Sequence, residues 1–299
     1  MKKALKIWII VAVSLVLIGS LIFTGAMASL DFDFKQLSTE NFETNTYELK
    51  ESFDKISIDV EISDITFVPS DNKKCKVVCY EEEKLKHSVE VEDETLVIDI
   101  IDKQKWYDHI GVSFENMELT VYLPKKEYTS LLIDTETGNV EIPKSFKFEK
   151  LAVNSSTGGI NCSATADDVN INTSTGGIQL CDTECESIIT GSTTGSIQIS
   201  DVKCENIHTS TTTGKISFSE VVAKENLSAE ANTGDVTFSN SDAKAIRVNT
   251  STGDVTGTLL SEKNFRCETS IGDIDVPETT SGGICRIATS TGDINISII

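Results

Sequence analysis

Histidine, basic residues and paired metal-binding cysteines are all scarce in this 299-residue sequence. The three histidines are His87, His109 and His208, and no two of them have the spacing of metal ligands. The eight cysteines include no C-x₂-C pair of the kind that binds zinc. The sequence therefore predicts no catalytic, cofactor-binding or metal-binding residue, and we expect a protein that is not an enzyme and carries no cofactor.

Positive charge is also in short supply. Lysine and arginine number 26 against 47 aspartates and glutamates, which gives a net charge of −21 at pH 7. Such a surface repels phosphate groups, so it excludes sequence-independent binding to nucleic acid and disfavours anionic lipid headgroups. Hydrophobic residues make up 39% of the chain, enough for a sizeable core and too many for a wholly disordered protein.

The N-terminus has the pattern of a membrane anchor. Three lysines within residues 1–6 precede 24 uncharged and mainly apolar residues, 7–30. This stretch is long enough to span a hydrocarbon core of about 30 Å, and the lysines predict a cytoplasmic tail at 1–6 with an extracellular C-terminal domain. The alternative is a signal peptide cleaved after Ala28, since Ala26-Met27-Ala28 is an A-x-A site. We favour retention as a single-pass signal anchor, because the apolar run from Ile7 to Phe23 exceeds a typical signal peptide core.

A repeat organises the rest of the chain. A corner glycine, usually preceded by threonine, recurs at intervals of 18–20 residues, at positions 138, 158, 176, 195, 214, 234, 253, 272 and 292. A fixed period near 20 residues is typical of a solenoid, in which each unit stacks on its neighbours. A propeller would need about 40 residues per blade and is set aside.

Apolar residues, mostly β-branched, occupy the positions seven and five residues before each glycine and two and four residues after it. Apolar residues two apart predict strands. Each unit is thus two short strands joined at the corner, followed by a polar turn of about six residues. Parallel stacking of equivalent strands about 4.8 Å apart predicts an all-β, single-domain β-solenoid with about nine rungs of 19 residues, behind an N-terminal transmembrane helix.

Two columns rich in threonine and serine stand one and three residues before the glycine. By parity with the apolar columns, we expect both to face inward and to have a structural role. The glycine itself fits a turn that needs positive φ or close approach to the neighbouring rung.

The repeat weakens toward the N-terminus. Residues 131–299 form the regular solenoid, whereas residues 50–130 hold a degenerate strand–corner–strand pattern and a hairpin pattern. Irregular end units of this kind cover the open end of a solenoid, so we interpret 50–130 as an irregular β capping region. Residues 31–49 are polar and unpatterned, and we expect them to form a tether from the membrane.

The segment from Leu119 to Pro124, then Tyr128, the run Leu131–Ile142 and the iterated Ser-Thr-Gly-Asp/Gly-Ile units resemble the bacterial putative-adhesin family. That family is a domain of unknown function with a β-solenoid, and its LiaG-like members sit behind an N-terminal membrane helix in Gram-positive bacteria. The resemblance covers about residues 50–299. It implies surface exposure and a role in adhesion or envelope stress, and it supplies no catalytic residue.

Cys185 and Cys204 both stand ten residues before their glycine. Stacked at about 4.8 Å, they would fall inside the disulfide window of about 4.4–6.8 Å between Cα atoms. A small inward-facing residue is the alternative explanation for both.

An aspartate follows the last four corner glycines, in a column made of Asp235, Asp254, Asp273 and Asp293. Aspartate is a turn former, and oxygen ligands of this kind also suit Ca²⁺. We favour the first interpretation, and the sequence leaves the second open.

Three functions are compatible with these features. We favour a non-catalytic, membrane-anchored module that binds a cell-wall or surface-protein ligand. A polysaccharide-acting β-helix enzyme and an ice-binding-like threonine array are the alternatives. Because no further rung follows Ile299, we also expect weak self-association through the C-terminal rung.

Overall fold

The computed structural model describes residues 2–32, 41–70, 74–103, 115–279 and 281–299, and His109 lies outside them. Within these ranges the chain forms one helix and a 22-stranded sheet system. The helix and strands are α1 (Lys2–Ser29), β1 (Phe42–Leu49), β2 (Lys55–Ile62), β3 (Asp64–Ser70), β4 (Cys75–Glu82), β5 (Leu85–Glu92), β6 (Thr95–Asp102), β7 (Glu118–Pro124), β8 (Glu127–Thr137), β9 (Val140–Ile142), β10 (Lys147–Thr157), β11 (Ile160–Cys162), β12 (Thr165–Thr175), β13 (Ile178–Cys181), β14 (Ser187–Thr194), β15 (Ile197–Thr213), β16 (Ile216–Thr233), β17 (Val236–Thr252), β18 (Val255–Leu259), β19 (Lys263–Ile271), β20 (Ile274–Asp275), β21 (Gly283–Thr291) and β22 (Ile294–Ile298).

Helix α1 is the apolar segment at the N-terminus. Its stretch Leu5–Ser29 is long and apolar enough to cross a membrane, and its large side chains are exposed. A helix of this length extends about 38 Å at ~1.5 Å per residue. The prediction of a helix able to span the membrane is therefore confirmed.

The rungs stack in parallel and in register. Leu151 of β10 lies between Leu131 of β8 and Val169 of β12, and Ile160 of β11 lies between Val140 and Ile178. The predicted apolar columns are buried along the stack except in the rung of β19 and β20. The β-solenoid fold is confirmed.

Each corner glycine approaches the neighbouring rung closely. The glycines have φ between 144° and 157°, and an added Cβ at Gly195 would lie 1.8 Å from the carbonyl oxygen of Gly176. This confirms the predicted need for glycine. The same turn breaks the alternation of the strand, so the two residues before the glycine both face outward. The hydroxyl column three residues before the glycine is buried as expected, but the prediction that the nearer column also faces inward is wrong.

A second corner gives the later rungs a third wall. It lies six residues after the glycine and has positive φ at Asp182, Asp201, Glu220 and Asn240. The next residue points inward, as Val202 and Val221 do, where the sequence predicted only a polar turn. The sequence pattern does not predict this wall, because it contributes only two inward residues per rung, several of them small or polar.

The N-terminal end of the stack is an irregular β region. Strand β2 stacks between β6 and β8, and β3 between β7 and β9. Strand β4 runs antiparallel between β1 and β7, and β5 is antiparallel to β6. The expectation of a tether through residue 49 is wrong over Phe42–Leu49, because Tyr47 and Leu49 pack on the core while β1 pairs with the edge of β4.

The rungs at the C-terminal end do not stack in chain order. Strand β21 lies between β17 and β19, and β22 lies between β18 and β20. The C-terminal rung is therefore sandwiched, and the end of the stack is β19–β20, where Ile271 and Ile274 are 68% and 45% exposed. The prediction that the C-terminal rung is uncovered is wrong. The chain first forms the outermost rung, β19–β20, and then turns back, so that β21–β22 lies between that rung and β17–β18.

Candidate functional site

A long, open polar groove runs along one wall of the solenoid. It crosses β2, β8, β10, β12, β14, β15, β16 and β17 just before the glycine corner, and encloses about 1080 Å³. At about 4.8 Å per strand it is about 34 Å long. Its lining residues come from the positions two, three and four residues before each glycine.

Hydroxyl groups beneath the groove hold its wall to the corner. In most units the hydroxyl three residues before the glycine donates a hydrogen bond to the corner-glycine carbonyl of the neighbouring rung. The bonds run from Thr173 to Gly158 (3.3 Å), from Ser192 to Gly176 (3.2 Å), from Thr211 to Gly195 (3.2 Å) and from Thr250 to Gly234 (3.3 Å). The role predicted for this column is structural, and these bonds fit it.

Two hydroxyls of the same column differ from the others. Thr135 and Ser155 are 6% and 7% exposed, line the groove, and have no hydrogen-bond partner for Oγ1 and Oγ among the described residues. A buried hydroxyl without a partner is unfavourable. Both oxygens lie beneath the groove wall with almost no exposed surface, so they set these two units apart from the others without being accessible from the groove.

Charge is unevenly distributed along the groove. Its N-terminal end carries Asp59, Glu61, Asp134 and Glu136, whereas the remaining lining is neutral apart from Glu230. The amide of Asn154 donates to Asp134 over 2.8 Å. Among the residues that the structure describes, no lysine, arginine or aromatic side chain lines the groove. Its chemistry therefore consists of hydroxyl, amide and carboxylate groups.

The aspartate column lies outside the groove, just after the corner. The backbone amide of Asp254 donates to Oδ1 of Asp235 over 2.9 Å, that of Asp293 to Asp254 over 2.8 Å, and that of Asp273 to Asp293 over 2.8 Å. Each of these carboxylates thus binds the backbone of the next rung. This arrangement fits the turn-forming interpretation, which was preferred to a Ca²⁺ site.

Cys185 and Cys204 are brought together as predicted, but as free thiols. A hydrogen bond between them raises the pKa of Cys185 and lowers that of Cys204. Cys162 and Cys285, by contrast, are buried in the apolar core. Burial raises the pKa of Cys162 and of Cys285 to about 12. Such thiols stay protonated and unreactive at neutral pH.

The outward columns that form the groove were not singled out from the sequence. A partial signal was available, because an uncharged polar residue stands four residues before four of the glycines, at Asn154, Asn172, Ser210 and Asn249. Polar residues on the outer face of a strand are expected anyway, so the pattern alone does not distinguish a binding groove from a solvated wall.

Comparison with known families identifies the fold. The Toastrack DUF4097 family, a domain of unknown function, matches residues 53–220 and, in a second match, 178–299. The chain belongs to this family. The Toastrack region therefore includes the cap and the whole regular stack, and the resemblance found in the sequence is confirmed.

Solved structures support the same Toastrack architecture. A putative lipid binding protein from Parabacteroides distasonis ATCC 8503 is 16% identical with a TM-score of 0.56, over 87% of this chain and 98% of that one. A putative adhesin from Parabacteroides merdae ATCC 43184 is 12% identical with a TM-score of 0.52, over 87% and 98%. At these identities the likeness shows the fold alone. The comparison with curated proteins gives no match.

Proposed function

We propose that this protein is a membrane-anchored, non-catalytic binding module of the cell surface, and that its groove binds an extended, uncharged glycan strand of the cell wall. The observation that carries the proposal is the continuous polar groove across eight strands. A groove of this shape suits a linear polymer better than a small compact ligand, because the repeat presents similar groups at each ~4.8 Å step.

The lining selects the chemistry of the ligand. The exposed hydroxyls and amides of the lining, such as those of Asn154, Ser174 and Thr212, can bind the hydroxyl and acetamido groups of a glycan. The carboxylates at one end and the net charge of −21 repel polyanions. One neighbour is named a lipid binding protein, but here the polar lining offers little surface for an acyl chain.

The proposed topology places the N-terminus in the cytoplasm and the solenoid outside. Helix α1 supplies the span, and the lysines at its start supply the orientation signal. An impermeant thiol reagent applied to intact cells should label Ser281→Cys above the wild-type background, because Ser281 is exposed. The control Lys3→Cys should be labelled only after lysis. The reverse pattern would contradict the topology.

A polysaccharide-cleaving enzyme is the second candidate, favoured by the four carboxylates at the groove's N-terminal end. Release of reducing ends from cell-wall glycan by the wild type, abolished in Asp134→Asn, would replace the binding module with this function. The threonine-array alternative needs both hydroxyl rows on one outer face, and the structure buries one of them.

Filling the groove tests the binding proposal. Full-length protein in detergent micelles should co-sediment with purified cell-wall sacculi. The variant Ser174→Tyr plus Thr212→Tyr should lose most of this binding, because both side chains are exposed in the groove.

The matched control is Gln179→Tyr plus Gln198→Tyr, which places the same rings on the exposed face of another wall. The control should bind like the wild type. Equal binding by both variants, with circular dichroism showing that both are folded, would contradict a role for the groove.

A further inference from the structure

A polar cluster is buried inside the otherwise apolar N-terminal cap. Strand β4 points Cys79 and Glu81 inward, and β5 points His87 toward them. The side chains of Glu81 and His87 are fully buried, and Cys79 is 0% exposed. One ligand atom from each residue lies within 4.8 Å of the other two.

The hydrogen bonds fix the orientation of these groups. His87 Nδ1 lies 2.7 Å from Glu81 Oε2, and its Nε2 lies 3.0 Å from the hydroxyl of Ser63. Glu81 Oε1 accepts from the amide of Asn45 over 2.7 Å. Ser63 and Asn45 thus hold the outer atoms of the histidine and the carboxylate, while Oε2 of Glu81 faces Nδ1 and also accepts the backbone N–H of His87 over 2.6 Å.

The contribution of this cluster to the stability of the fold does not by itself explain why these polar residues are present. A buried ion pair is often no more stable than apolar residues of the same volume, because both charges must leave water. The neighbouring inward residues Val77 and Val89 show that this interior otherwise selects apolar side chains. A function that needs a thiol, an imidazole and a carboxylate together explains their presence.

We propose that Cys79, Glu81 and His87 bind one Zn²⁺ ion and so join β4 to β5. Cysteine sulfur, imidazole nitrogen and carboxylate oxygen are the ligands that Zn²⁺ prefers, whereas Ca²⁺ and Mg²⁺ select oxygen alone.

The geometry and the charge both suit the ion. Tetrahedral Zn²⁺ with bonds of about 2.0–2.3 Å holds one sulfur, one nitrogen and one oxygen about 3.3–3.6 Å apart, so Nδ1 and Oε2 must separate by about 0.6 Å and the sulfur must approach by up to about 1.5 Å. A thiolate and a carboxylate balance the two charges of the metal, which leaves the buried site neutral. The bond from His87 to Ser63 matches the orienting bond that metal-bound histidines usually make through their other nitrogen.

Cobalt substitution tests the proposal directly. Full-length protein in detergent micelles, stripped with a chelator and titrated with Co²⁺, should bind one equivalent. It should develop a sulfur-to-cobalt charge-transfer band in the near ultraviolet and the visible bands of tetrahedral Co²⁺, and Zn²⁺ should displace both. Metal analysis after dialysis against Zn²⁺ should give one zinc per chain.

Variants locate the site. Cys79→Ser should abolish the charge-transfer band, whereas Cys75→Ser, on the same buried strand face, should keep it. Glu81→Gln, which is nearly isosteric, should weaken Co²⁺ binding at least tenfold. This variant tests the site even if Cys79→Ser does not fold. Absence of a band in the wild type, its persistence in a folded Cys79→Ser variant, or unchanged affinity in Glu81→Gln would overturn the proposal.

Discussion

Two adjacent glycines provide a sharp test of the corner. At Gly176 φ is +151°, and an added Cβ would lie 1.9 Å from the carbonyl oxygen and 2.6 Å from the carbonyl carbon of Gly158. At Gly177 the nearest atom is the oxygen of Ser196 at 3.4 Å, an ordinary contact. Gly176→Ala should therefore force two rungs apart, whereas Gly177→Ala should not.

The expected difference in stability between the two variants follows from the interactions that Gly176→Ala disrupts. Strained backbone of this kind costs about 1–3 kcal/mol for a residue with a side chain. Separation of these two rungs also weakens two backbone hydrogen bonds between them, from Gly158 to Thr175 and from Ile160 to Gly177, both 2.9 Å long. These contribute about 0.5–1.5 kcal/mol each. Gly176→Ala should thus lower the free energy of unfolding by about 2–6 kcal/mol, whereas Gly177→Ala should change it by about 1 kcal/mol or less.

The assay is urea denaturation of the full-length protein in detergent micelles, followed by the β-sheet circular dichroism signal. The urea midpoint of Gly176→Ala should fall well below those of the wild type and Gly177→Ala. Equal midpoints for the two variants would show that the rungs do not approach each other at the corner as closely as the structure indicates.

Three further predictions concern the stack. Thr211→Val should lower stability by about 1 kcal/mol in thermal melts, because its hydroxyl bond to Gly195 is lost, whereas Thr213→Val on the exposed column should change it by less than about 0.5 kcal/mol. Thr256→Cys plus Asn295→Cys should form a disulfide under mild oxidation, since the two residues are partners in adjacent strands, and failure to cross-link would contradict the inverted order of the last rungs. Ile271→Lys plus Ile274→Lys should abolish weak self-association in sedimentation at high salt, whereas Ile298→Lys plus Ile299→Lys should not. A wild-type protein that stays monomeric at every concentration would contradict this prediction.

Most of the fold could be predicted from the sequence, because the glycine period and the apolar columns independently predict the same repeating unit. The order of the last rungs could not be. The units around Gly253, Gly272 and Gly292 have nearly the same pattern, so any of them can stack on any other. Only the buried fraction distinguishes them, since Phe265 and Cys267 are less buried than their equivalents in other rungs.

The polar sites were harder to predict for a different reason. Cys79, Glu81 and His87 match no metal-binding spacing, and their ligand atoms converge only because the chain reverses between β4 and β5. The groove depends on the broken alternation before each corner, which places two successive residues outside. Both features arise from backbone turns, and the pattern of residue types along the repeat does not predict the geometry of those turns.

The central claim, that the groove binds a linear glycan, is tested most directly by the dependence of affinity on ligand length. Titration of the full-length protein with uncharged oligosaccharides of increasing length should show affinity that rises until the oligomer spans about 34 Å, the length of eight stacked strands, and then levels off. Anionic oligomers of the same length should bind more weakly at low salt. Affinity that is independent of length, or higher for the anionic series, would contradict the account.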